Sequence, residues 1–306
     1  MVKKIDPLVP PPLLPGDRVS IIAPASPFDR DKFQSGLSVM EKIGFRPVFN
    51  DDLFQSDGYL AGSDQHRADM FNAAFADDET SGVWCVRGGY GALRILPLID
   101  YEKIKSRPKV LIGCSDISAI MHALHVNCNM ITFHGPMIGS LGHASVSTLD
   151  ALTEMFQWRD GYAVEPETAV AIRSGSAVGP VVGGNLTTLC HLLGTPWHPR
   201  FSGRLLFLED RGEAPYRIDR MLCQMKMAGC FDGLAGLMLG SFDECGPYDR
   251  ICGIVADVLS DMDIPVLAGF AAGHSEPNII LPLGIGARLD AHAGTLTYLE
   301  SCVSQR

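Results

Sequence analysis

The stretch KVLIGCSDISAIMHAL, Lys109–Leu124, joins an apolar β-branched run to a helical pattern through Gly113-Cys114-Ser115-Asp116. Val110–Ile112 reads as a short buried strand, and from Ile117 onward the apolar positions recur at helical spacing. The chain must turn sharply between them. A serine on such a turn sits at the carboxyl end of a sheet, with its hydroxyl near the amides that open the following helix. The competing reading is that Ser115 or Asp116 caps that helix. Outward from this stretch the same alternation repeats. RVSIIAPAS, FRPVFN and GVWCVRGGYG read as strands, and DRDKFQSGLSVMEKIG and SDQHRADMFNAAFAD as helices. Strands alternating with helices predict a parallel α/β sheet covered on both faces. RGGYG and GCSD both fall at strand ends, where such sheets place their sites.

From Arg159 to Gly184 the chain is rich in Gly, Pro, Ser and Ala and has no long amphipathic period, which predicts a domain boundary. The expected division is an N-terminal domain over 1–165, a linker over 166–183 and a C-terminal domain over 184–306. Beyond the boundary NLTTLCHLLG, YRIDRMLCQMKMAG and RICGIVADVLSD read as helices, and RLLFLED, GLAGLMLGSF and IPVLAGFAAGH as strands. IILPLGIGARLDA and TLTYLE read as a closing hairpin.

With 306 residues, 46% hydrophobic and 20% charged, the chain has material for two domains of ordinary size. A formal net charge of -10 argues against nucleic acid as the main partner. The nine cysteines lie mostly in apolar segments and read as buried thiols; no pair has zinc-site spacing, so no metal is expected. The proline-rich start, MVKKIDPLVPPPLLPGDR, breaks any apolar core that a signal peptide would need, and no segment is long enough to span a membrane. A cytoplasmic location with no membrane partner is the expectation.

A serine needs a base to take its proton, and the base needs a group to orient it. His274, directly after the apolar run PVLAGFAAG, is the leading base, with His134 in ITFHGP its rival. His122, His125 and His191 lie inside helical patterns and read as packing residues. Glu209 ends the strand RLLFLED, and Asp210 is its neighbour. Alternation along a strand sends the two to opposite faces, so only one should reach the site. RGGYG fits neither a dinucleotide fingerprint nor a Walker loop. Its remaining readings are a plain tight turn or a loop that points an amide at a developing oxyanion. The order Ser, Glu, His matches the α/β-hydrolases, but their nucleophile turn wants a small residue where this chain has Ile117.

The spaced motifs PGDRVSIIAPAS, RGGYG, IGCSDISAI, TFHGP, GGNLTTLCHLLGTPW, FLEDRGEAPYRIDRML, GSF and GHSEPNIILPLG run through nearly the whole chain in one order. In them it resembles the serine LD-carboxypeptidases, also called muramoyltetrapeptide carboxypeptidases, and the related microcin-immunity peptidases. The resemblance implies Ser115 as nucleophile, His274 as base, Glu209 as its orienter, and the backbone amides of Gly89 and Asp116 as the oxyanion hole. It implies an N-terminal flavodoxin-like domain, related to class I glutamine amidotransferases, and a smaller swivelling C-terminal β/α domain. The implied substrate is a murein-derived tetrapeptide losing its terminal D-alanine at an L,D-amide, with no cofactor. Arg87, Glu213, Tyr216 and Asn278 are expected as weak substrate contacts. Two other readings stand: a microcin-immunity peptidase, toward which Trp197 would be the stacking aromatic, and a non-catalytic binder of cell-wall peptides. A homodimer is left open.

Overall fold

The computed structural model describes residues 6–155 and 162–304. The chain forms two compact units, Met1–Gln157 with Ile279–Gly284 and Cys302–Arg306, and Trp158–Asn278 with Ile285–Ser301. In the first, strands β1 (Arg18–Ile22), β2 (Arg46–Val48), β3 (Gly82–Cys85), β4 (Val110–Gly113) and β5 (Thr132–His134) run parallel. Helices α1 (Arg30–Lys42), α2 (Asp64–Ala76), α3 (Ala92–Ile95), α4 (Tyr101–Ser106), α5 (Ser118–Cys128), α6 (Ile138–Leu141) and α7 (Val146–Met155) connect and follow them. The strand order β2-β1-β3-β4-β5 is that of flavodoxin-like folds, and its direction of winding reverses between β1 and β3. Every residue of β3 and β4 is buried, as strands covered on both faces require. Trp84, fully buried on β3, satisfies its indole by donating to the Pro136 carbonyl at 2.8 Å.

The second unit adds β6 (Ala163–Val164), β7 (Val170–Arg173), β8 (Ser176–Asn185), α8 (Leu186–His191), β9 (Leu205–Arg211), α9 (Pro215–Met227), β10 (Gly236–Asp243), α10 (Tyr248–Val258) and β11 (Val266–Ala268). After β12 (Leu281–Leu283), which belongs to the first unit, come β13 (Gly286–Asp290) and β14 (Thr295–Tyr298). The eight strands order as β6-β14-β13-β8-β9-β10-β11-β7, with β8 to β11 parallel. Both units are therefore mixed α/β, as the alternation predicts.

Two expectations need correction. The stretch 166–183 is not a linker, since it contains β7 and most of β8, and β8 pairs with both β9 and β13. Its glycines serve close strand approach: a Cβ on Gly183 would lie 1.9 Å from the Phe207 carbonyl oxygen. The start of the expected boundary, 159–161, lies outside the described residues. The closing hairpin is β13 with β14 alone. Leu281–Leu283 pairs antiparallel with β5 at a sheet edge, where Pro282 is tolerated.

Among the described residues no helix is long and apolar enough to cross a membrane. Of the nine cysteines, Cys223 is exposed and Cys252 half-buried, so the buried-thiol reading fails at these two. His122 is buried as a packing residue should be, but His191 is exposed in the last turn of α8.

Candidate active site

In the first unit β4 ends at Gly113 and Cys114 continues extended, after which Ser115 takes φ 60°. This left-handed conformation costs a residue with a Cβ about 1–2 kcal/mol. The residue before α5 is Ile117, which makes no side-chain cap, and Asp116 spends one carboxylate oxygen on the Ala92 amide. Glycines make the room that Ile117 takes up. A Cβ on Gly113 would fall 2.7 Å from Ile117 Cγ2, and one on Gly88 would fall 2.9 Å from Ser115 Cβ. The small residues that relieve the turn thus sit before the serine and on a neighbouring loop, in place of the position that Ile117 fills.

That neighbouring loop, Gly88–Gly91, follows β3. Ser26, after β1, donates its amide to the Gly88 carbonyl at 3.1 Å, and its hydroxyl accepts from the Tyr90 amide at 2.9 Å. Gly89 has φ 97°, and a Cβ there would lie 2.5 Å from Ser26 Oγ. Among the described residues no protein group accepts from the Gly89 amide. The buried Asp116 carboxylate accepts from the Ala92 amide at 2.8 Å, tying the residue after the serine to the end of the glycine loop. Ser115, Gly88, Gly89 and Asp116 are therefore gathered at the carboxyl ends of β3 and β4, beside the reversal of strand order. Arg87, next to them, is exposed and donates to the Pro27 carbonyl at 2.9 Å.

In the second unit Glu209 is wholly buried near the end of β9, and its Oε2 lies 2.7 Å from His274 Nδ1. A carboxylate only accepts, so Nδ1 carries the hydrogen and Nε2 is left as a proton acceptor. Burial pulls the imidazole down, but the hydrogen bond and charge of Glu209 outweigh it. The net effect holds His274 above the ordinary histidine value. The histidine loop is fastened at several points. The His274 amide donates to Ser241 Oγ at 3.0 Å, and the Gly273 amide to Asn278 Oδ1 at 3.1 Å. Gly273 has φ 138°, and a Cβ there would lie 2.2 Å from Ser241 Oγ and 2.9 Å from Glu209 Oε2.

Glu209 and Asp210, which alternation sends to opposite faces, have different partners. Asp210 accepts from the Thr187 hydroxyl at 2.7 Å, the Thr187 amide at 2.9 Å and the Asn185 amide group at 3.1 Å, which anchors the start of α8. Burial raises its pKa. The rival base His134 is fully buried on β5, between the partner strands β4 and β12. Asn278, expected to touch substrate, has its amide oxygen committed to Gly273. Glu213 pairs with Arg217 at 3.4 Å, and Tyr216 is 57% exposed beneath the guanidinium groups of Arg217 and Arg220. Trp197 is half-buried. Ser26 and Ser241, which hold the two loops, were not singled out from the sequence. Both follow small residues at or beyond a strand, in APAS and GSF, but a serine there carries no sign of which amide it will meet.

Two family models match the chain, the LD-carboxypeptidase N-terminal domain over residues 19–135 and the LD-carboxypeptidase C-terminal domain over 178–289. The chain belongs to the LD-carboxypeptidase family. It is 38% identical to the probable murein peptide carboxypeptidase of Bacillus subtilis, over 95% of this chain and 93% of that one. It is 28% identical to the microcin C7 self-immunity protein MccF of Escherichia coli, over 99% of each. The crystal structure of muramoyltetrapeptide carboxypeptidase from Oxalobacter formigenes superposes with a TM-score of 0.83 at 29% identity, covering 94% of this chain and all of that one.

Proposed function

We propose that this chain is a serine LD-carboxypeptidase that removes the terminal D-alanine from murein-derived tetrapeptides, acting in the cytoplasm. Ser115 is the nucleophile, His274 its base and Glu209 the group that orients and charges the base. The Ser115 proton passes to His274 Nε2 as Oγ bonds to the carbonyl carbon at the L-centre. The oxygen that gains charge is held by the amides of Gly89 and Asp116. The C–N bond then breaks as His274 returns the proton to the leaving D-alanine amine. Water, losing a proton to the same imidazole, attacks the ester carbon; the C–Oγ bond breaks and the imidazole returns that proton to Ser115 Oγ. The observation that carries the reading is the 2.7 Å bond from His274 Nδ1 to the buried Glu209, which leaves Nε2 to accept a proton.

The relatives support the substrate class. The likeness to MccF favours a second reading, in which the amide cleaved joins an acidic amino acid to a sulfamoyl nucleoside. Incubation with tetrapeptides ending in L,D or D,D linkages, and with aspartyl sulfamoyl adenosine, separates them by mass spectrometry. Loss of one alanine from the L,D peptide alone is expected. Cleavage of only the nucleoside conjugate would move the protein to the immunity class, and cleavage of the D,D peptide would refute the assigned linkage.

A further inference from the structure

Arg67 lies on the inward stripe of α2 with Phe71, Ala74 and Phe75, and it is fully buried. A charged group on a stripe otherwise made of aromatic rings and methyls is costly unless its charge is used. Its guanidinium is spent on two loops at once. Nη1 donates to the Pro24 carbonyl at 2.7 Å and to the Gly91 carbonyl at 2.8 Å, and Nη2 pairs with Asp64. Pro24 follows β1, and Gly91 closes the glycine loop after β3. Arg67 is the one side chain among the described residues that bridges these two carbonyls from beneath. Gly91, at φ 126°, has room only for hydrogen, because a Cβ there would lie 2.7 Å from Nη1.

The four residues of the loop are thus tied at their edges: Gly88 and Tyr90 to Ser26, Gly91 to Arg67, and the following Ala92 to Asp116. Of the loop amides only that of Tyr90 is taken, by Ser26; that of Gly89 lies between the ties and, like those of Gly88 and Gly91, has no protein acceptor among the described residues. Asp64 is shared outward with Arg94, which grips it at 2.8 Å near the surface, so the buried ion pair is itself held in place. Burial pulls the guanidinium below its ordinary value, while Asp64 opposes the fall and the charge of Asp116 adds to that opposition.

We infer that Arg67 is a positioning residue for the oxyanion loop, fixing Gly88–Gly91 so that the Gly89 amide is aimed before the oxyanion forms. This rests on the proposed serine chemistry and adds to it a residue that never touches substrate. A preformed donor matters more to the transition state than to the bound peptide, so the effect should fall on kcat.

The test uses the full chain as wild type, R67M, R67K and R94M. It reads kcat and KM on the L,D-tetrapeptide and hydrogen exchange at residues 88–92. R67M should lose about 100-fold in kcat with KM changed by less than about 2-fold. Its loop amides should exchange faster while those of β3 and β4 do not. R67K keeps the charge without the planar fork and should fall between. R94M removes the exposed partner of Asp64 and a contact to Tyr90 of the loop, leaves the Arg67 bonds to Pro24 and Gly91 in place, and should lose less than R67M in both readouts. Unchanged loop exchange in R67M, or kcat and KM both as in wild type, would overturn the inference; if R67M does not fold, R67K decides by the same two readouts. A wild-type chain that leaves the tetrapeptide intact would instead contradict the proposed function, and loop exchange would still decide whether Arg67 holds the loop.

Discussion

Ser115 holds φ 60° with a side chain in place, whereas Gly273 holds φ 138° without one. On the proposed chemistry the two regions solve the same problem, presenting a reactive group beyond a strand's carboxyl end, by opposite distributions of strain. In the first unit the proposed nucleophile itself carries the strained backbone, and Gly113 before it and Gly88 on the neighbouring loop yield the space. In the second unit the reactive residue is spared. Gly273 takes the difficult conformation, and His274 is left to be governed by electrostatics through a carboxylate with no exposed surface. A nucleophile benefits from being pushed out by its backbone, while a base benefits from a partner that sets its tautomer and its affinity for a proton.

The comparison breaks most visibly at the serine. Ser115→Ala should keep the fold and lose at least about 10³-fold in kcat on the L,D-tetrapeptide, since removing a covalent nucleophile costs orders of magnitude. A loss of only a few-fold would remove Ser115 from the chemistry. Next is Glu209→Gln, expected to cost about 10²-fold or more through a misoriented His274. The same variant sharpens the electrostatic half. His274 works as base only when neutral, and its pKa is raised, so wild-type kcat/KM should fall with decreasing pH through a midpoint above the ordinary value of about 6.5. Without the Glu209 charge, burial is opposed mainly by the smaller effect of Asp210, and the midpoint should move down. A midpoint that stays put would show that Glu209 does not charge the base.

The strain half is tested by stability. Gly273→Ala combines an unfavourable φ with an overlap against Ser241, and it should destabilise by about 2–3 kcal/mol in denaturant titrations while lowering activity. Ser115→Gly should do the reverse, raising stability by about 0.5 kcal/mol once the relief at φ 60° is set against glycine's larger unfolded entropy, while abolishing turnover. A destabilised Ser115→Gly would mean that the turn is held by the serine rather than strained by it.

Much of this was legible in the residues because it rests on short-range rules. Val110–Ile112 followed by a helical period after a four-residue turn can be little else than strand, turn and helix. The choice between Glu209 and Asp210 needed only the two-residue period of a strand to pose it; the structure puts Glu209 on His274 and Asp210 on Thr187 and Asn185. What stayed hidden depends on contacts distant in sequence. The glycines at 179 and 183 look like linker composition until β9 and its neighbouring loop are seen pressed against β8. Leu281–Leu283 reads as half of a local hairpin, yet its partner is β5. Arg67 did leave a signal, a charge on the stripe shared with Phe71 and Phe75, but its meaning appears only when Pro24 and Gly91 are found at its tip. Asn278 reads as a substrate contact because it lies in a motif near His274, and it turns out to hold the loop that bears it.

The central claim is that Ser115 is made nucleophilic by a base which Glu209 tunes. The most direct measurement is the rate of covalent labelling by a fluorophosphonate across pH, with the modified peptide identified by mass spectrometry, in wild type, His274→Ala and Glu209→Gln. The account predicts one label, on Ser115, whose rate falls on acidification through a midpoint above about 6.5 in wild type. It also predicts a rate lost in His274→Ala, and in Glu209→Gln one that is slowed, with the midpoint moved down. Labelling on a different residue, or of Ser115 at a rate indifferent to both substitutions, would contradict it.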